Sequence, residues 1–133
     1  LTQRDHVLEV FLEETTDRLD SIESGLLALE NSTECDPQLV NQIFRDAHSV
    51  KAGANLLKLF NLEKLAHALE NVLEQIRQCK LEASEMVITA CLESVDKLRE
   101  LVANVEQSEH ISVRLHKAML EMSAKKTLEM QSS

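Results

Sequence analysis

Residues 36–78 read DPQLVNQIFRDAHSVKAGANLLKLFNLEKLAHALENVLEQIRQ and hold two amphipathic helices in succession. The first opens on Asp36-Pro37, an aspartate cap followed by proline at the first helical position, where a missing N–H costs nothing. Leu39, Val40, Ile43, Phe44, Ala47, Val50, Ala54 and Leu57 then recur at three- and four-residue steps, the period of one helix face. This helix is expected to end before Asn61. From about Asn61 to Gln78, Leu62, Leu65, Ala66, Leu69, Val72, Leu73 and Ile76 form a second, wider apolar face. The connection between the two is short, so they are expected to lie antiparallel.

The same period continues on both sides. Val7, Val10, Phe11, Leu19, Ile22, Leu26 and Leu29 mark a helix from about Asp5 to Leu29, with Thr2 as its cap, and Asn31-Ser32-Thr33 breaks the pattern. A fourth helix is expected from near Ser84 to about Val105, lined by Met86, Val87, Ala90, Cys91, Val95, Leu98, Leu101, Val102 and Val105. A fifth, from Ile111 to about Met130, has a weaker stripe of Val113, Leu115, Ala118, Met119 and Met122, and the end KKTLEMQSS reads as a frayed tail or linker. The expected fold is all-α: an antiparallel four-helix up-down bundle with an additional fifth C-terminal helix. We expect one domain over residues 1–133, with the bundle at about 4–107, the fifth helix at about 111–130 and a tail to 133.

Composition agrees with this. Two glycines and one proline in 133 residues are too few turn formers for an all-β or α/β chain of this size. With no Trp or Tyr and three Phe, the core must be mostly Leu, Ile and Val. A net charge of −9 repels nucleic acid, which is bound by neutralising phosphates, so no nucleic-acid partner is expected. No apolar run approaches the ~20 residues of a membrane span, and charges interrupt the start LTQRDHVLEV, so neither a membrane partner nor a signal peptide is expected. The missing initiator Met suggests a fragment of a longer protein. Cys35, Cys79 and Cys91 are odd in number and lack C-x-x-C spacing, as expected of reduced thiols in a cytoplasmic protein.

The second and third helices also carry polar stripes. Phe44, His48, Lys51 and Asn55 lie beside the apolar face of one; Glu63, His67, Glu70 and Glu74 follow at similar steps on the other. Packed antiparallel, the two stripes face one another near the surface. A largely neutral imidazole has one nitrogen with a free lone pair, and a carboxylate on its other N–H fixes the tautomer and raises basicity. Glu70 is the candidate for that role. Lys51, one turn from His48, is placed to offset the charge of an incoming phosphoryl group. The small residues Ala52 and Gly53 would let another protein approach closely. Spacing alone leaves the solvated-face reading of His48 open beside the nucleophilic one. His6, His110 and His116 read as ordinary surface residues.

The segment Phe44–Ile76 resembles the histidine phosphotransfer family, most closely the amino-terminal phosphotransfer domain of CheA-type chemotaxis kinases. The motif stands here as His48-Ser49-Val50-Lys51-Ala52-Gly53-Ala54, with its second half as Leu65-Ala66-His67-Ala68-Leu69-Glu70. The first helix, Phe11–Glu30, looks like that family's first helix, and the match covers about residues 5–107. The resemblance implies that His48 is the phospho-acceptor, that Lys51 assists the phosphoryl group, and that Glu70 holds the imidazole in a network His67 joins. Gly53 falls on the small-residue turn of the motif. Ala52 departs from the Gly usual there, which bears on partner identity more than on chemistry.

The resemblance further implies a phosphoryl carrier of two-component signalling. A histidine kinase catalytic (ATP-binding) domain would phosphorylate His48, and a response regulator receiver domain would take the group onto its aspartate. The chain has no P-loop or other nucleotide-binding pattern, so no cofactor of its own is expected. The resemblance implies a phospho-acceptor domain that is part of a larger histidine kinase, and whether the chain is itself an enzyme stays open. Alternatives are the corresponding domain of a hybrid sensor kinase, a stand-alone relay, or a non-catalytic helical scaffold. A metal-binding bundle would use Glu-x-x-His pairs, which the chain lacks, so no metal is expected.

Overall fold

The computed structural model describes residues 3–32 and 35–132, so Thr2, the expected cap of the first helix, and Thr33, in the expected break, lie outside the described residues. Five α-helices follow in order: α1 Gln3–Glu30, α2 Pro37–Leu56, α3 Phe60–Arg77, α4 Glu85–Ala103 and α5 Arg114–Gln131, with a 3-10 helix at Val105–His110 before α5. No strand occurs among the described residues. Helix α1 packs on α2 and α4, and α3 packs on α2 and α4, closing a ring of four; α5 lies outside it against α3 and α4. The all-α bundle with a fifth helix is therefore the fold of the chain.

The centre of the ring is aliphatic. Leu19, Ile22 and Leu26 of α1 meet Ile43 of α2, Leu65 and Leu69 of α3, and Ile88 and Leu98 of α4, all fully buried. Burying each such side chain contributes about 1.5–3 kcal/mol, which must offset the entropy of ordering the helices. Asp36 caps α2 by accepting from the Gln38 N–H at 3.0 Å, ahead of Pro37, and Ser84 caps α4 by accepting from the Val87 N–H at 3.3 Å. The start of α3 has no local cap. Glu109 of the 3-10 helix reaches across instead, its carboxylate accepting from the Phe60 N–H at 3.2 Å and the Asn61 N–H at 3.1 Å. A carboxylate there also meets the positive end of the helix dipole.

Both α2 and α3 end in a left-handed turn. The Lys58 and Leu59 N–H groups return to the Asn55 and Ala54 carbonyls, and those of Cys79 and Lys80 return to Ile76 and Gln75. This pair of hydrogen bonds closes a Schellman cap at each end. Its left-handed residue is usually glycine, but here it is Lys58 (φ 60°) and Cys79 (φ 61°).

Three expectations about the helices need correction. Val7 and Val10 are exposed rather than part of the buried stripe of α1, and buried Thr15 takes the next turn. In α5, Leu115 and Met122 point to solvent, whereas Leu120, Ser123, Ala124 and Thr127 are buried. Hydropathy misses that face because two of its residues are hydroxylic. The Ser123 hydroxyl donates to the Leu120 carbonyl, and Thr127 shares a 2.7 Å bond with Ser84, so both enter the core satisfied. The expected frayed tail is helical to Gln131, whose side chain accepts from the Glu82 N–H and donates to the Lys80 carbonyl. His6 and His110 are exposed as expected, but His116 is only half-exposed. No helix is long and apolar enough to cross a membrane among the described residues.

Candidate functional site

The polar stripes of α2 and α3 meet along their shared flank. His48, midway along α2, donates from Nδ1 to Glu70 Oε2, and the Lys51 ammonium donates to Glu70 Oε1 at 2.7 Å. Two turns further along α2 the Asn55 amide donates to Glu63, so the two helices run antiparallel in one register through this face. The carboxylate is nearly enclosed while the imidazole is not: the Glu70 side chain is 8 % exposed and that of His48 is 56 % exposed. Burial works to raise the Glu70 carboxyl. The hydrogen bonds and charges of Lys51 and His48 outweigh it and hold the group below the ordinary carboxylate value. Glu70 therefore stands as an anion between two donors.

This geometry fixes the imidazole. In the neutral ring, with Nδ1–H committed to Glu70, the free lone pair is on Nε2, and the side chain as a whole is more than half exposed. Phe44, one turn back on α2, stacks on the ring with centroids 6.3 Å apart and planes 24° apart. The Arg77 guanidinium, from the end of α3, lies 4.6 Å above the other aromatic ring and is itself held by Glu74 at 2.7 Å. Phe44 was legible in the stripe of α2. Arg77 was not, since its partner is reached only once α2 and α3 are paired.

His67 is the residue the structure does not bring into the cluster. It is exposed and lines a cleft between α3 and α5 together with Lys117 and Glu121, with no hydrogen bond to His48 or Glu70. Three residues along a helix offset two side chains by about 60° around its axis, enough for His67 to lie on the α5 side while Glu70 faces α2. Gly53 also differs from expectation. The Phe11 ring of α1 occupies the space a Gly53 side chain would need, so this glycine serves packing inside the bundle rather than the approach of another protein. Ala52 is exposed, as an approach surface requires.

A wider apolar surface adjoins His48. Along α2, Ala52 and Leu56 follow it at four-residue steps, and Leu56 is 76 % exposed. The start of α1 runs beside them, since Phe11 packs at Gly53 and Arg4 donates to the Leu57 carbonyl at 3.4 Å. Exposed Val7 and Val10 lie on that stretch. No group of three or more His, Cys, Asp or Glu side chains able to hold a metal occurs among the described residues.

Comparison with known proteins follows the same lines. The family model described as Hpt domain matches residues 6–109. Curated relatives include the chemotaxis protein CheA of Rhizobium meliloti (strain 1021), 39 % identical over 95 residues covering 71 % of this chain and 12 % of that protein. The chemotaxis protein CheA of Bacillus subtilis (strain 168) is 35 % identical over 98 residues, covering 74 % of this chain and 14 % of that protein. The chain thus spans only a small part of these relatives. Among solved structures, the phosphorylated P1 domain of CheA3 in complex with CheY6 from R. sphaeroides has the same fold, with a TM-score of 0.77. It shares 22 % sequence identity, with 94 % of this chain and 98 % of that chain covered.

Proposed function

The chain belongs to the Hpt domain family, and from that premise we propose that it is a phosphoryl carrier whose His48 Nε2 takes a phosphoryl group from ATP on a histidine kinase catalytic domain and gives it to an aspartate of a response regulator. The observation that carries this reading is the His48–Glu70–Lys51 cluster, an exposed nucleophilic nitrogen whose opposite ring nitrogen is held by a buried carboxylate.

The chemistry follows from that arrangement. Nε2 attacks the γ-phosphorus, an N–P bond forms, and ADP leaves. The ring becomes more positive as the bond forms, and the Glu70 carboxylate on Nδ1–H stabilises that charge in place. In the second step the partner's carboxylate attacks phosphorus, the N–P bond breaks and neutral imidazole departs, its tautomer still held by Glu70. Lys51, one turn from the acceptor, keeps Glu70 oriented and places a cation beside the arriving dianion. Phe44 limits rotation of the ring.

We assign docking to the apolar surface of Ala52, Leu56, Val7 and Val10 beside His48, which suits a receiver domain that must bring its aspartate to the exposed ring edge. The structural neighbour was captured with CheY6, a protein pairing in keeping with this assignment. The relatives favour a CheA-type kinase as the parent protein, acting in the cytoplasm in chemotaxis signalling, with ATP bound by another of its domains. The test is transfer onward: chain carrying labelled phosphoryl on His48 is mixed with a CheY-type receiver domain already shown to accept phosphoryl from a small donor. Label should move to the receiver within the mixing experiment. Label that stays on the chain counts against the carrier role.

A further inference from the structure

We propose that Cys35 and Cys79 form an intramolecular disulfide on exposure to hydrogen peroxide, stapling the α1–α2 connection to the α3–α4 connection. Cys35 directly precedes Asp36, the cap of α2, and Cys79 is the left-handed residue that ends α3. Both are exposed thiols, and both line one crevice of about 520 Å³ at this end of the bundle, floored by Leu29, Ile76 and Leu81. Burial pushes the Cys35 thiol up, and the charges of a Cys79 thiolate and of Asp36 add to it. Cys79 holds a backbone conformation that non-glycine residues adopt reluctantly, which sets its side chain at the crevice rather than along the helix. Cys91, the remaining cysteine, is fully enclosed in α4 with its thiol pushed up to about 12, so it does not compete.

The step balances with one peroxide. One thiolate attacks an oxygen of hydrogen peroxide, giving a sulfenic acid and hydroxide. The second thiol then displaces the sulfenic oxygen as water, the S–S bond forms, and the hydroxide takes up the proton lost at the start. Two thiols and one peroxide give a disulfide and two waters. The closed loop contains the whole of α2 and α3, and with them His48, Lys51 and Glu70, so it restricts the unfolded chain over the segment that builds the site. His48 lies roughly 18 Å along α2 from its cap, far enough that the link leaves the acceptor open.

The experiment is peptide mapping of the full chain, reduced, treated with equimolar hydrogen peroxide while folded, and alkylated without reduction. We expect a monomer carrying a Cys35–Cys79 linked peptide, lighter than the separate peptides by two hydrogens, with Cys91 still a thiol. Thermal unfolding should rise by on the order of 10 °C and return on adding dithiothreitol. Cys35→Ser and Cys79→Ser should each abolish the link and the rise, with the remaining exposed cysteine trapped by dimedone as sulfenic acid. Covalent dimers, sulfinic acids without a link, or a link that forms only in denaturant would each overturn the proposal.

Discussion

The Phe11 ring of α1 lies against the Cα of Gly53 in α2, where any larger residue would put its Cβ. Helix propensity favours alanine over glycine by about 1 kcal/mol in a helix interior, so a reading from propensity alone makes Gly53→Ala stabilising. The contact reverses the sign. The ring must move, and overpacking of this kind costs about 1–3 kcal/mol. We expect Gly53→Ala to be less stable than the wild type in urea unfolding. The control is Ala52→Gly on the exposed face, which should lose only the propensity difference. A stabilised Gly53→Ala would show that Phe11 yields freely.

Acid should expose the role of Glu70 in stability. Its carboxyl binds protons less readily in the folded chain than in the unfolded one, where the ordinary value is 4.5. Its contribution is therefore whole above that value and is lost as pH falls through the lower, folded value. At neutral pH, Glu70→Gln should lose about 1.5–3 kcal/mol, the worth of hydrogen bonds to a charged group. In unfolding curves taken at descending pH, the gap between variant and wild type should close below pH 4.5. A gap that stays constant through that range would mean the carboxylate is not specially stabilised by Lys51 and His48.

The Glu109 carboxylate supplies the missing cap of α3 from a distant segment. Glu109→Ala should cost about 1 kcal/mol, as for loss of a local cap. Amide hydrogen exchange should quicken first at Phe60 and Asn61. Unchanged exchange there would show that water replaces the carboxylate without loss.

Lys58 stands at the left-handed position that closes α2, with its side chain exposed. Lys58→Gly should raise stability by about 0.5–1 kcal/mol, the relief of a left-handed residue less the greater freedom of glycine in the unfolded chain. Denaturant midpoints of the two proteins decide it, and a fall in the midpoint would mean that the lysine makes interactions worth more than the strain.

Much of the bundle is legible from residue spacing because α2, α3 and α4 have one-sided apolar faces and local caps at Asp36 and Ser84. The register of α2 on α3 follows once their polar stripes are set antiparallel, and it brings His48 to Glu70. What spacing misses is decided by other helices. The α5 face rests on Ser123 and Thr127, whose hydroxyls find partners only in the fold. Gly53 answers to Phe11, Arg77 to Phe44, and the start of α3 to Glu109, none of them sequence neighbours. His67 looked like part of the site because it shares a sequence motif with Glu70, but helix rotation separates the two.

The central claim is that His48 is the acceptor, and phosphorylation by a CheA-type kinase catalytic fragment with γ-labelled ATP tests it most directly. The His48→Gln variant should keep the fold, since the ring is largely exposed. Label that is acid-labile and alkali-stable on the wild type, and absent from His48→Gln, is the predicted result. Equal label on His48→Gln, or none on the wild type from a kinase active on its own substrate, would contradict the assignment.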